Sequence, residues 1–192
     1  MKKTGIFSGS FNPIHIGHLA LANWLCEYEN LDEIWFLVTP QNPLKDNKQL
    51  MDYQMRYELV KSSLSDYSKF DASNFEQTLP RPSYTIRTLR ALRETYPERL
   101  FYLLIGADSW ENIEQWKEFE SILHEFPVLI YPRRGYERPV PSHYPNVRKV
   151  NAPMMEISSS FIRQALREGK DIRFFLPEAV RTQLKHIQKL II

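Results

Sequence analysis

The chain has 192 residues, of which 43% are hydrophobic and 25% charged, and its formal net charge is +2. This composition excludes a fibrous or globally disordered protein and predicts one domain over residues 1–192. The near-neutral net charge gives no strong electrostatic field for binding nucleic acid. No stretch approaches the roughly 20 apolar residues of a membrane span. We therefore expect a cytoplasmic protein that acts on small-molecule substrates, and a homo-oligomer stays possible.

Strand-like and helical segments alternate along the chain. Strands are predicted at 3–9, 32–40, 69–74, 99–108 and 126–133, and helices at 17–30, 52–65, 84–95 and 109–125. Since neighbouring parallel strands need right-handed crossovers, this order predicts an α/β protein with a parallel sheet and helices on both faces.

The C-terminal third is predicted to begin with a loop. Six prolines lie between positions 127 and 153, so this stretch is expected to be mostly irregular, with a short strand at "NVRKVN". Two helices, near 158–168 and 177–189, are predicted to close the chain. The single cysteine, Cys26, cannot form an internal disulfide and is expected to be a buried apolar side chain, which fits a reducing compartment.

The loop after the first strand reads "GSFNPIHIGH" and ends with His18. Ligands of parallel α/β sheets bind beyond the carboxyl ends of the strands, and the helix near Gly17 would offer unpaired N–H groups to an anion. A phosphate site is therefore predicted, with His15 and His18 as hydrogen-bond donors and Gly17 leaving room for a nucleotide. Zinc is the competing interpretation, but Cys26 and the remote histidines give no recognisable ligand spacing, so no metal site is predicted.

Two segments carry a family resemblance. "GSFNPIHIGH" resembles the H-x-G-H signature of the nucleotidyltransferase superfamily, and "ISSSFIR" at 157–163 resembles its second signature, I-S-S-T-x-I-R. "TPQNPLK", "PSYTIRTL", "IGADSWENIEQW" and "YPRRGY" are similar to the bacterial nicotinate mononucleotide adenylyltransferases. The chain departs from the family pattern at Ser8, Asn12, Leu44 and Ser160. The resemblance implies a Rossmann-like doubly wound fold, with C-terminal helices from about residue 157.

The resemblance also implies a reaction and its residues. The 5′-phosphate of nicotinate mononucleotide would attack the α-phosphorus of ATP, with Mg²⁺ accompanying ATP, and would give nicotinate adenine dinucleotide and pyrophosphate for NAD biosynthesis. The implied catalytic residues are His18, His15 and Arg163. The implied ATP-binding residues are Gly9, Ser10, Phe11, His15, His18, Gly106, Asp108, Ile157, Ser158, Ser159 and Arg163, and the implied mononucleotide-binding residues are Asn42, Lys45, Thr85, Trp116, Lys117 and Arg133.

Other interpretations remain open from the sequence. A phosphopantetheine adenylyltransferase would share the fold, although its signature usually has threonine where His15 stands. A non-catalytic nucleotide sensor need not keep both His18 and Arg163. Individual residues also have purely structural explanations: Ser158 could simply cap a helix, Thr85 could be a first helical residue, and Trp110 is assigned to the core.

Overall fold

The computed structural model describes residues 1–40 and 50–191 of the chain. Within these ranges lie six strands: β1 (Lys2–Gly9), β2 (Glu33–Val38), β3 (Phe70–Ser73), β4 (Arg99–Gly106), β5 (Val128–Tyr131) and β6 (Val147–Lys149). They form one sheet in the order β3-β2-β1-β4-β5-β6, and its pairings are parallel. The order reverses between β1 and β4, which is where an open α/β sheet forms its ligand crevice.

The helices lie on both faces of this sheet. They are α1 (Ile16–Tyr28), α2 (Tyr53–Ser63), α3 (Thr85–Thr95), α4 (Ala107–Glu111), α5 (Phe119–Glu125), α6 (Ser159–Arg167), α7 (Glu178–Thr182) and α8 (Leu184–Ile191). The predicted Rossmann-like doubly wound fold is confirmed. Among the described residues, no helix has both the length and the apolar character that crossing a bilayer requires.

Alternate side chains of the strands fill two separate cores. Phe7 of β1 belongs to the core that includes side chains of α1, α2, α6, α7 and α8, whereas its neighbour Ile6 belongs to the core that includes side chains of α3, α4 and α5. This alternation explains why the middle of each central strand is apolar on successive positions: both faces are covered. Cys26 and Trp110 are buried as predicted, each with an exposed fraction of 1%.

Two predicted helices are broken in the structure. The single helix expected over 109–125 is wrong: α4 ends at Glu111, a 3₁₀ turn follows at Ile113–Gln115, and Glu118 has a left-handed φ of 52° immediately before α5. Buried Ile113 and Ile122 lie on the two sides of the break. Because apolar residues continue at helical spacing across it, the sequence pattern does not reveal the interruption.

The other corrections are smaller. The helix expected over 177–189 is divided into α7 and α8 at Gln183. The strand predicted over 99–108 ends at Gly106, and Ala107 already belongs to α4. The short strand expected in the proline-rich segment is confirmed as β6, which pairs with β5.

Candidate active site

A cavity of about 990 Å³ opens at the carboxyl ends of β1, β4 and β5. Its size is that of a site for a small-molecule ligand. It is lined by the sequence-predicted site residues that fall within the described ranges: Gly9, Ser10, Phe11, His15, His18, Thr85, Gly106, Asp108, Trp116, Lys117, Arg133, Ile157, Ser158, Ser159 and Arg163. Asn42 and Lys45, like Leu44, lie outside the described residues. The fold therefore brings segments that are far apart in the chain to one opening.

The β1–α1 turn (residues 10–15) forms one wall of the cavity. Its Phe11 has a φ of 43°, a left-handed conformation that a bulky side chain adopts only when its surroundings enforce it. His15 is the N-cap of α1. A side chain at Gly17 would lie 3.1 Å from the Cβ of Ile157, so this glycine allows the segment before α6 to approach α1 closely. Gly17 thus has a structural reason in addition to the room for a nucleotide that the sequence predicts.

The two histidines stack on each other, with ring centroids 3.7 Å apart and an angle of 21° between the ring planes. The backbone N–H of His15 donates to Nδ1 of His18 at 3.3 Å. An imidazole nitrogen that accepts a hydrogen bond carries no proton, so the ring proton of His18 is assigned to Nε2. The geometry thus selects the tautomer in which Nε2 carries the ring N–H, on a residue that lines the cavity.

His15 has a different electrostatic state, which the sequence did not reveal. Only 3% of the residue is exposed, and burial, assisted by the positive charge of Arg133, lowers the pKa of His15 to about 4. The ring is therefore neutral at pH 7. His15 can donate a hydrogen bond only as a neutral imidazole, and it does not add a positive charge to the site.

The N-terminus of α6 contacts the β1–α1 turn directly, and both segments line the cavity. The Oγ of Ser159 donates to the carbonyl oxygen of Pro13 at 2.9 Å, and Nη1 of Arg163 donates to the carbonyl oxygen of Asn12, also at 2.9 Å. The Oγ of Ser158 caps the helix by accepting from the N–H of Phe161. The two signature segments are thus joined by direct hydrogen bonds.

Arg163 also retains unused bonding capacity beside the cavity. Its Nη2 donates to the Oγ of Ser160 at 3.2 Å, whereas its buried Nε has no hydrogen-bond partner in the described part of the protein. Ser160 stands where the family signature usually has threonine, and its hydroxyl helps to orient the guanidinium. An unsatisfied N–H of a cation is well suited to an anionic ligand.

Asp108 and Arg133 lie at the ends of β4 and β5. A Cβ on Gly106 would lie only 2.2 Å from Oδ1 of Asp108, so the carboxylate can occupy this position only because residue 106 lacks a side chain. Arg133 Nε lies 3.8 Å from the same oxygen, and Arg133 Nη1 donates to the carbonyl oxygen of Met155 at 3.0 Å. Arg133 thereby connects the end of β5 to the segment that leads into α6.

Thr85, Trp116 and Lys117 line another part of the cavity. Thr85 is the first residue of α3, and Trp116 with Lys117 occupies the break between α4 and α5. The Nζ of Lys117 lies 4.7 Å from the ring centroid of Tyr84, a cation–π contact. Trp116, which lies in the helix break that the sequence did not predict, both lines the cavity and packs against the adjacent core.

Sequence reasoning missed a buried carboxyl group beside the cavity. Glu76, in a 3₁₀ turn after β3, is 4% exposed, and its Oε1 accepts from the hydroxyl of Thr88 at 3.0 Å. Burial raises the pKa of Glu76 to about 7, although hydrogen bonds from Thr88 and Thr39 act in the opposite direction. The available signal was its place after a strand's carboxyl end, a position where polar residues reach the ligand crevice.

The raised pKa of Glu76 makes stability depend on pH. The unfolded chain loses this proton near pH 4.5 and the folded protein near pH 7, so the free energy of unfolding falls as the pH rises between these values. We expect Glu76→Gln to remove this pH-dependent loss of stability. The free energy of unfolding of the variant minus that of wild type should therefore rise by about 2 to 3 kcal/mol from pH 5 to pH 8. Urea unfolding at both pH values measures the difference. Glu94→Gln, an exposed change on α3, is the control, and an equal effect of Glu76→Gln at both pH values would contradict the assignment.

Comparisons with known proteins identify the family of the chain. Residues 6–165 match the family model described as cytidylyltransferase-like. A Bacteroides thetaiotaomicron protein named "Probable nicotinate-nucleotide adenylyltransferase" is 56% identical over 177 residues, which cover 91% of this chain and 86% of that protein. A Bacteroides fragilis protein of the same name is 55% identical over 178 residues, covering 93% and 89% of the two chains.

A solved structure provides a further comparison at the level of the fold. The Plasmodium falciparum nicotinic acid mononucleotide adenylyltransferase complexed with NaAD superposes with a TM-score of 0.78 over 97% of this chain and 96% of that one. The two sequences are 21% identical. At this identity the likeness establishes a shared fold.

Proposed function

The chain belongs to the cytidylyltransferase-like family, and from this membership we infer that it is a nicotinate-nucleotide adenylyltransferase of NAD biosynthesis. A 5′-phosphate oxygen of nicotinate mononucleotide attacks the α-phosphorus of ATP. The bond from the α-phosphorus to the bridging oxygen of the β-phosphate breaks, and pyrophosphate leaves. The products are nicotinate adenine dinucleotide and pyrophosphate.

The observation that carries this proposal is the junction between the β1–α1 turn and the N-terminus of α6. Arg163 and Ser159 each donate to a main-chain carbonyl of the turn at 2.9 Å. A triphosphate bound at one segment is therefore within reach of the other. Since phosphoryl-type transfer depends on positioning and on stabilising negative charge, such a junction suits it.

We assign His18 to the α-phosphate. Its Nε2–H is the ring's donor, because Nδ1 accepts from the backbone of His15. As the mononucleotide oxygen attacks, negative charge grows on the non-bridging oxygens of the α-phosphate, and a fixed donor stabilises that charge. The neutral ring of His15 stacks on the ring of His18 and holds it in place. We also assign to His15 an uncharged hydrogen bond to the triphosphate.

The β- and γ-phosphates are assigned to α6. The unpaired N–H groups of its first turn and the positive end of its dipole favour an anion. The hydroxyl of Ser159 already donates to Pro13, whereas the Oγ of Ser158 only accepts, from Phe161, and keeps its own O–H. We therefore assign the main-chain N–H groups, the Ser158 hydroxyl and Arg163 as the donors to the leaving pyrophosphate. Gly9, Ser10, Phe11, Gly106, Asp108 and Ile157 complete the ATP site, with Asp108 accepting from ribose hydroxyls.

The mononucleotide is assigned to the part of the cavity near α3. Trp116 stacks on the pyridine ring, the hydroxyl of Thr85 and the backbone N–H of Lys117 bind the pyridine carboxylate, and Arg133 contributes positive charge. These roles rest on the family resemblance together with the convergence of these residues at one cavity. Asn42 and Lys45 keep their proposed roles in substrate binding, although they lie outside the described residues.

ATP enters as its Mg²⁺ complex in this proposal. Among the described residues, no group of three or more histidine, cysteine, aspartate or glutamate side chains could hold a metal ion. This fits an ion that is bound by phosphate oxygens and water and that arrives with the substrate. We further propose a cytoplasmic location, in keeping with the free, buried thiol of Cys26.

The test supplies Mg²⁺–ATP with nicotinate mononucleotide, its amide analogue or phosphopantetheine in parallel and measures pyrophosphate. We expect release with the pyridine mononucleotides, with the acid form preferred. Release only with phosphopantetheine would replace the proposed acceptor. ATP binding without pyrophosphate release for any acceptor would favour a nucleotide sensor.

A further inference from the structure

Arg56 of α2 is a buried cation that does not line the cavity. It is 1% exposed, and its hydrogen bonds to described residues go to main-chain carbonyl oxygens. Nε donates to Met51 at 3.0 Å, Nη1 to Ser10 at 2.6 Å and to Thr39 at 3.0 Å, and Nη2 to Pro40 at 3.3 Å. One guanidinium thus joins the start of α2, the end of β2 and the β1–α1 turn.

Burying a cation in this way costs free energy that an apolar side chain of similar size would not cost. Burial accordingly lowers the pKa of Arg56 from its usual value, against the effects of Tyr53 and Asp52. Packing alone does not explain an arginine at this position. The planar fork of the guanidinium can hold several carbonyl oxygens in fixed directions, which no other side chain can do.

The turn that Arg56 holds needs such support. Phe11, next to Ser10, has a φ of 43°, and a non-glycine residue stays in this region only where neighbouring contacts enforce it. A second bond from the start of α2 acts on the same turn, because the N–H of Met51 donates to Oδ1 of Asn12 at 3.1 Å. The β1–α1 turn is therefore held from the α2 side at Ser10 and Asn12, and from the α6 side at Asn12 and Pro13.

We propose that Arg56 is a positioning residue for the transfer reaction, which fixes the β1–α1 turn in the conformation that presents His18 and the turn's backbone to the triphosphate. This inference rests on the proposed function for its catalytic consequence. Arg56 does not itself touch substrate, since the cavity is lined by Ser10 and Thr39, whose carbonyl oxygens it binds, and not by Arg56.

The test compares Arg56→Lys and Arg56→Met with Leu59→Ala. Leu59 is fully buried one turn further along α2, in the same core as Phe11, so its truncation lowers stability without removing a hydrogen bond to the β1–α1 turn. Amide hydrogen exchange is measured for a peptide covering residues 8–14, and kcat and KM are measured well below each variant's unfolding temperature. Arg56→Lys keeps the positive charge, so its results alone test the proposal if Arg56→Met does not fold.

We expect both Arg56 variants to exchange faster in the 8–14 peptide and to lose about tenfold or more in kcat, with KM for the mononucleotide changed by no more than about twofold. Leu59→Ala should keep kcat and the exchange rate of this peptide near wild type. Unchanged exchange in residues 8–14, or a loss of kcat no larger than in Leu59→Ala, would overturn the proposal. Hydrogen exchange needs no substrate. It therefore tests whether Arg56 fixes the β1–α1 turn even if the wild-type protein forms no dinucleotide and the proposed function fails.

Discussion

Replacing His18 by alanine is expected to lower kcat by about 10²- to 10³-fold, the usual cost of removing one fixed donor that stabilises transition-state charge. The loss should appear in kcat more than in the KM for ATP, because charge on the α-phosphate grows as the transition state forms. Pyrophosphate release under saturating substrates gives kcat, and thermal unfolding shows whether the variant remains folded.

The control for this change is His186→Ala. His186 is an exposed histidine on α8 and does not line the cavity, so its loss should leave kcat near wild type. His18→Gln is a second informative variant, since the amide retains a donor and should recover part of the activity. A kcat within about twofold of wild type in folded His18→Ala would remove the assigned role.

Replacing Arg163 by alanine is expected to lower kcat/KM for ATP by about 10- to 100-fold, as expected for the loss of a charge-assisted hydrogen bond to phosphate. Part of the loss should come from the missing hydrogen bond between Arg163 and the carbonyl oxygen of Asn12, which joins α6 to the β1–α1 turn. Arg163→Lys should recover only part of the activity, because an ammonium group cannot reproduce the guanidinium fork. Steady-state kinetics with ATP varied at saturating mononucleotide measure the effect.

Arg167→Ala is the matched control for Arg163. It removes one positive charge from the last turn of the same helix, at a position that does not line the cavity. We expect a change in kcat/KM of no more than about twofold in this variant. Equal losses in the two variants would mean that the general charge of α6, and not the contact made by Arg163, controls ATP use.

The sequence predicted a parallel sheet, most of the elements and many of the residues that line the cavity. Local patterns identified the parallel strands because their central residues are apolar on both faces, as Ile6 and Phe7 show. The two signature segments both line the cavity, and the hydrogen bonds from Arg163 and Ser159 to the β1–α1 turn, which the sequence did not predict, join them directly. The site roles themselves and the single-domain assignment remain predictions.

What the sequence did not reveal depends on tertiary contacts. The neutral state of His15 follows from burial and from Arg133, which is remote in the chain. Glu76 and Arg56 resemble ordinary surface charges in the sequence, yet each is buried against groups from other elements. The helix break at residues 116–118 is not visible in the sequence, because buried residues on both sides of it keep helical spacing. The family resemblance, and not the hydrophobic pattern, therefore predicts Trp116 at the site.

In the proposed reaction, the β1–α1 turn and the N-terminus of α6 bind one triphosphate between them. A crystal structure with a non-hydrolysable ATP analogue tests it most directly. We predict an oxygen of the α-phosphate within about 3.2 Å of Nε2 of His18, and the β- and γ-phosphates at the first turn of α6 and Arg163. A triphosphate bound elsewhere, or held by one of these segments while the other makes no contact with it, would contradict the account.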